Sequence, residues 1–319
     1  MEPTPAPPVL SIVVPLMNEQ GNVHALLERI FAIANALPQA PSFEVVLVND
    51  GSTDDTAGAV RRQMRSRPNV VLVNLSRNFG HQLAATAGLD IARGEAVVLM
   101  DGDLQDPPEL VAQFMQKWRQ GYDVVYAVRR TRKGESPFKV LTARIFYRTI
   151  KRLTNVSIPV DTGDFRLMSR RVVDALKRSR ERHRFLRGLV SWTGYRQTGI
   201  EYDRDERTSG ETKYPLRKMM RFALDGITSF SDVPLRFASY LGFTVSTAAF
   251  VYAIVIVLAK AMRAGTPEYT RGWASTMVVI LFIGGVQLIG IGILGEYLGR
   301  IYDEVKGRPL YLIADIERS

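Results

Sequence analysis

Two stretches near the end of the sequence, residues 237–258 and 274–298, are apolar over transmembrane length and free of charge until Glu296. A bilayer's hydrocarbon core, about 30 Å thick, is crossed by about 20 helical residues. In lipid a helix satisfies its own backbone groups, so these stretches are expected as a two-helix transmembrane hairpin spanning residues 236–299. The connection between them is too short for a domain, which returns the residues 300–319 to the starting side as a tail. Arg217, Lys218, Arg221 and Arg236 before the hairpin, with Arg300, Lys306 and Arg308 after it, predict cytoplasmic flanks, although Lys260, Arg263 and Arg271 also charge the connection. Residues 214–235 set basic against apolar positions and are expected as an interfacial amphipathic helix. Gly295 and Gly299 form a small-xxx-small spacing that permits close helix contact, within the hairpin or between chains of a homo-oligomer.

The preceding part reads differently. Short β-branched runs at residues 10–16, 43–49, 70–75, 96–100 and 123–128 alternate with helical patterns at 19–37, 55–67, 82–92 and 108–120. That alternation predicts an α/β domain over residues 9–213, with a mostly parallel sheet covered by helices on both faces. Residues 1–8 are proline-rich, without the basic and apolar regions of a secretory signal, and are expected as a disordered leader. Open α/β sheets bind ligands beyond the carboxyl ends of their strands. Asn18 and Glu19, Asp50, and Asp101 with Asp103 all fall at such ends.

Composition narrows the chemistry. The chain lacks cysteine, which excludes disulfides, thiolate metal sites and cysteine nucleophiles, and its three histidines are scattered. A net charge of +10 points to anionic partners. Neither a dinucleotide-binding GxGxxG nor a P-loop is present. No nucleic-acid module appears, and the basic residues gather beside the membrane segments, so nucleic acid is not expected as a partner. Between residues 131 and 155 a basic amphipathic helix carrying Arg144 and Arg148 suits phosphate or lipid headgroups.

Asp101-Gly-Asp103 follows the apolar run AVVLM, placing two carboxylates on a tight turn at the sheet's active edge. Hard cations such as Mg²⁺ or Mn²⁺ take such oxygen ligands and complete their shell with substrate phosphates. Asp50 ends the run VVLV, where a nucleotide contact is expected, while Asp54 and Asp55 suit capping of the next helix.

Together PLMNE, VNDGSTDDT, SRNFGHQLAATAGL, MDGDLQDPPE and DTGDFRLM resemble the inverting family-2 glycosyltransferases of GT-A fold. With GEYLGRIYDEVKGRPLY after the second span, the resemblance is to polyprenyl-phosphate sugar transferases such as bactoprenol glucosyltransferases and dolichol-phosphate mannose synthases. It implies transfer of a single sugar from a nucleotide diphosphate to polyprenyl phosphate at the inner membrane, for lipopolysaccharide or other cell-envelope glycosylation. UDP-glucose is the favoured donor, with UDP-N-acetylglucosamine, an aminoarabinose donor and GDP-mannose behind it. The other reading is a nucleotide-sugar-binding membrane scaffold without turnover. By the same resemblance Pro15, Asn18, Glu19, Asp50 and Asp101 belong to the nucleotide-sugar pocket, and Asp103 with Gln105 joins Asp101 at the metal. Arg77 would meet diphosphate or sugar hydroxyls, and Asp161 and Asp164 would serve the acceptor side. Arg207, Ser209 and Lys213 form an active-site loop toward diphosphate and lipid phosphate.

Overall fold

The computed structural model describes residues 7–38, 42–130, 159, 162–202, 233–262 and 273–319. The chain divides into two compact units, one carrying a sheet and including Arg308–Ser319, the other built on Phe222–Gly307.

In the first unit the strands β1 (Leu10–Leu16), β2 (Phe43–Asn49) and β3 (Val70–Leu75) have the bounds read from the sequence. Their near-continuous Val, Ile and Leu content is what strands buried on both faces require. The intervening helices are α1 (Val23–Ala36), α2 (Thr56–Met64) and α3 (His81–Ile91). After them come β4 (Ala96–Leu99), α4 (Leu110–Arg119) and β5 (Val124–Arg129). Helix α1 starts four residues later than its apolar pattern suggested, because the Glu19 carbonyl accepts Asn22 N–H in a turn and the Glu19 side chain accepts the Asn22 amide at 2.6 Å. This frees Glu19 from the helix and leaves it at a strand end.

Beyond β5 lie β6 (Thr162–Ser169), α5 (Arg170–Arg178), α6 (Leu186–Trp192) and β7 (Gln197–Tyr202). The final strand, β8 (Ile313–Arg318), belongs to the stretch expected as a tail. The sheet order is β7-β5-β6-β4-β1-β2-β3-β8. The expectation of a mostly parallel sheet is corrected to a mixed one, since β6 runs antiparallel between β4 and β5, and β8 runs antiparallel to β3. Strand β6 is buried along its whole length, yet Gly163, Asp164 and Arg166 interrupt its apolar pattern, so it does not read as a strand.

The core lies on both faces of this sheet. On one, Leu26, Leu27 and Ile30 of α1 and Phe114 of α4 pack on Ile12, Val14, Leu47 and Phe165, with the Phe114 and Phe165 ring centroids 4.9 Å apart. On the other, α3 presses closely on β1 and β2. A Cβ at Gly88 would stand 2.3 Å from Val13 Cγ1 and 3.0 Å from Val48 Cγ2. That close approach holds α3 against β1 and β2. Gly88→Val is therefore expected to destabilise the domain by about 2 kcal/mol through overpacking, read as a lower Tm; an unchanged Tm would contradict this packing role.

The second unit contains α7 (Val233–Met262) and α8 (Trp273–Val305), which pack against each other. At 30 and 33 residues they run about 45 and 50 Å, longer than a bilayer core. Among the described residues Val278–Val305 is the segment long and apolar enough to cross a membrane by length and composition. Its large apolar side chains, such as Leu281 and Leu298, are exposed. Among the described residues, a Cβ at Gly295 or Gly299 would meet nothing within 4 Å. The expected interfacial helix falls mostly outside the described residues.

Candidate active site

A cleft of about 450 Å³ opens at the carboxyl ends of β1, β2 and β4. Pro15 and Glu19 border it from β1 and the loop that follows, Asp50 from the end of β2, and Asp101 and Asp103 from the turn after β4. Gly80 and His81, where α3 begins, form another wall, and Asp164 of β6 completes it. Because β6 is antiparallel to β4 and pairs Arg166 with Leu99, its early residues lie beside the turn after β4. The strand reversal thus brings Asp164 to the Asp101 side of the sheet.

The Asp164 carboxylate is buried and fully engaged. Arg187 Nε donates to its Oδ1 at 2.8 Å and Arg187 Nη2 to its Oδ2 at 3.1 Å, a bidentate pair. Gln82 Nε2 donates to Oδ2 at 3.3 Å, and His81 Nε2 lies 3.3 Å from the same oxygen. The Gln82 Oε1 in turn accepts Leu186 N–H at 3.0 Å, tying the start of α6, and so Arg187, to α3. Burial alone would raise the Asp164 pKa, but the Arg187 charge and the His81 and Arg187 hydrogen bonds outweigh it and hold the carboxyl well below its usual range. A carboxylate so held is a poor proton acceptor and a firm anchor.

Asp101 has the opposite electrostatics. Burial, then repulsion from Asp106, Asp164 and Asp103, pushes its pKa up to about 6 against the attraction of His81. His81 Nε2 stands 3.5 Å from Asp101 Oδ1, so one imidazole faces both carboxylates. Burial works against charge on that ring, but the Asp164 bond and the Asp101 charge raise its pKa. Asp101 Oδ1 is buried with no hydrogen-bond partner among the described residues. An oxygen in that state amid further carboxylates suits a cation. Among the described residues, no three His, Asp or Glu side chains converge as a ready-made metal cage.

The loops are fixed by backbone contacts. Asp50 accepts Phe79 N–H at 2.7 Å and Gly80 N–H at 2.9 Å, so the carboxylate pins the entry to α3. Burial raises its pKa, and these two bonds oppose the rise. Gly51, at φ +62°, sits where a Cβ would come within 2.4 Å of the Arg77 carbonyl carbon and the Asn78 nitrogen.

Of the residues expected at the site, Pro15, Glu19, Asp50, Asp101, Asp103 and Asp164 share this cleft. Asn18, Arg77 and Gln105 are not on its wall. Asn18, at φ +56°, instead accepts Thr53 N–H at 2.8 Å. Arg77 is exposed, with its guanidinium 4.0 Å over the Phe79 ring. Gln105 is buried, and its backbone N–H donates to Asp103 Oδ1 at 3.2 Å. Asp161, Arg144, Arg148, Arg207, Ser209 and Lys213 lie outside the described residues. Sequence reasoning missed His81, Gln82 and Arg187. The available signal was His-Gln directly after Gly80 at the start of α3, a helix end aimed at the strand ends.

Comparison with known proteins matches residues 11–177 to glycosyl transferase family 2 and residues 233–301 to the GtrB C-terminal hairpin. An uncharacterized glycosyltransferase of Bacillus subtilis (strain 168) is 48% identical over 303 residues, covering 95% of this chain and 92% of that one. An SfII prophage-derived bactoprenol glucosyl transferase of Shigella flexneri is 42% identical over 310 residues, covering 97% and 99%. A prophage bactoprenol glucosyl transferase homolog of Escherichia coli (strain K12) is 40% identical over 309 residues, again covering 97% and 99%.

Proposed function

The chain belongs to glycosyl transferase family 2 and is a glycosyltransferase of GT-A-like mixed α/β fold, and on that premise we propose that it moves one sugar from a nucleotide diphosphate sugar to polyprenyl phosphate. UDP-glucose is the donor and undecaprenyl phosphate the acceptor in this reading. The observation that carries it is likeness to bactoprenol glucosyl transferases along 97% of the chain, hairpin included. The membrane placement follows: α7 and α8 form a two-pass hairpin in the inner membrane, with the sheet-bearing unit on the cytoplasmic side.

The chemistry needs little from a general base, because a lipid phosphate is already ionised near neutral pH. Its oxygen attacks the anomeric carbon, the bond from that carbon to the diphosphate breaks, and the nucleoside diphosphate departs with inversion at the sugar. Asp164, locked by Arg187, Gln82 and His81, orients the reacting face of the cleft and takes no proton. Glu19 and Asp50 border the nucleotide end, Asp50 by holding the loop at Phe79 and Gly80. Arg144, Arg148 and Ser209 are assigned to the lipid phosphate, and Arg77, Arg207 and Lys213 to the diphosphate, on sequence pattern alone.

Asp101 and Asp103 fit Mg²⁺ or Mn²⁺, with the buried Asp101 Oδ1, which has no hydrogen bond among the described residues, the supporting observation. A bound cation would offset the charge that gathers on the departing diphosphate. Gln105 contributes through its backbone bond to Asp103.

A pH dependence follows from the Asp101 pKa of about 6. Below that value a proton competes with the cation, so Mn²⁺ affinity in the presence of UDP is expected to fall up to about tenfold per pH unit, and to level off above it. Titration calorimetry across the range checks this, and affinity independent of pH would remove Asp101 from the cation site. Turnover should also stop on adding EDTA and return with Mg²⁺ or Mn²⁺.

A further inference from the structure

We propose that the C-terminal strand β8 is part of the donor-binding machinery: through a ladder of side-chain amides it positions the two loops that border the nucleotide end of the cleft. The reading of that end as the donor pocket is the one proposed above.

The ladder starts where β8 pairs with β3 and sets Asp315 opposite Asn74. Asn74 Nδ2 donates to Asp315 Oδ2 at 3.1 Å and to Glu317 Oε1 at 3.4 Å. The parallel register of β2 and β3 places Asn49 beside Asn74, and Asn49 Nδ2 donates to Asn74 Oδ1 at 2.9 Å. Asn49 Oδ1 then accepts Ser52 N–H at 3.1 Å, in the loop after β2. Ser52 Oγ accepts Asn18 N–H at 3.0 Å, in the loop after β1, and Asn18 Oδ1 returns to Thr53 N–H at 2.8 Å. Every rung is a hydrogen bond, and the last two fix the loops that carry Glu19 and Asp50 to the cleft.

Two features separate this from ordinary sheet packing. The neighbouring register pair, Val48 with Val73, is apolar and buried, as stability alone would favour. Asn49 and Asn74 are 8% and 7% exposed, and a buried amide is tolerated only when bonded. Amides at these two positions therefore supply direction, which valines cannot. The far end is also anchored independently. Arg61 of α2 donates to Glu317 Oε1 from Nε at 2.9 Å and from Nη2 at 2.7 Å, and Val70 N–H donates to Ser319 Oγ at 2.9 Å. Just before the strand begins, Ser76 N–H donates to the Leu312 carbonyl at 2.9 Å, so loss of one rung loosens the loops and leaves the strands in place.

The test uses the full chain in detergent or nanodiscs. Asn74→Ala is expected to speed amide exchange at Asn18, Ser52 and Thr53 while exchange within β1, β2 and β3 stays as in the parent. It should also raise the KM for UDP-glucose about fivefold to tenfold, the order of one lost buried hydrogen bond, with kcat and the KM for polyprenyl phosphate within about twofold. A second variant, Asp315→Ala, removes the β8 acceptor that Asn74 meets at 3.1 Å and is expected to move both readouts in the same direction as Asn74→Ala; parent-like behaviour in both overturns the role given to β8. Unchanged loop exchange in Asn74→Ala overturns the proposal, as does faster exchange spread through all three strands. Donor and acceptor KM rising together overturns it too. The exchange readout needs no turnover, so a parent protein that transfers no sugar would sink the functional reading without touching this one.

Discussion

Asp164→Asn is expected to cut turnover by about 10²–10³-fold, the scale on which a positioned polar group in a transition state is missed, while UDP affinity stays within about twofold. The same change should destabilise the protein, because Arg187 loses the carboxylate it pairs with and the buried Arg166 loses a neighbouring negative charge. Breaking a buried pair by removing one partner costs about 3–5 kcal/mol. Asp164→Asn combined with Arg187→Gln restores a neutral pair, so it should recover much of the Tm and none of the turnover. Recovery of both together would reduce Asp164 to a structural role. The pH behaviour separates an anchor from a base. With its pKa held well below the usual range, Asp164 contributes stability above about pH 4, lost only as the pH falls through its folded value. The acid limb of kcat should therefore follow Asp101 near 6 and carry no Asp164 step.

Asp101→Asn is the second large effect, and its stability change has the opposite sign. Turnover should again fall by about 10²–10³-fold, through loss of the charge proposed to meet the cation. Yet the Tm of the cation-free protein should rise. Asp101 has its folded pKa raised to about 6, so the folded state holds its proton longer than the unfolded chain does. Stability accordingly declines as pH climbs from about 4 to about 6, and the full penalty, about 3 kcal/mol, stands above that range. A neutral amide removes it. Thermal melts of the two variants at neutral pH, without divalent cation, should move in opposite directions. A fall in Tm for Asp101→Asn would mean that the carboxylate is not held at a cost.

The strands that form the site's floor were legible because each is a short unbroken run of β-branched residues, and β1, β2 and β3 fall where those runs begin and end. The acids at their ends were legible for the same reason, since a strand end in such a sheet is where ligands bind. Strand β6 was not, because its Asp164 and Arg166 serve the cleft and its surroundings and break the apolar pattern. No strand was read at DTGDFR, so the sheet was expected to stay mostly parallel. Strand β8 was hidden by alternating charge in IADIER, which reads as a solvated tail until an edge is available to receive it. His81, Gln82 and Arg187 could not be ranked from spacing, because 105 positions separate Gln82 from Arg187 and only the β6 reversal and the α6 start bring them to one carboxylate. Asn18 and Arg77 lie off the cleft wall. Each sits in a site motif, yet one shapes a loop and the other stacks on Phe79.

The central claim, transfer of one sugar to a lipid phosphate, is tested most directly by weighing the product. Purified protein would be incubated with undecaprenyl phosphate, Mn²⁺ and, in separate reactions, each of the candidate nucleotide sugars, and the extracted lipid examined by mass spectrometry. The account predicts a lipid heavier by a single hexose with UDP-glucose, and none when undecaprenyl phosphate is omitted. An unmodified lipid with every donor, or a lipid bearing several sugars, would contradict it.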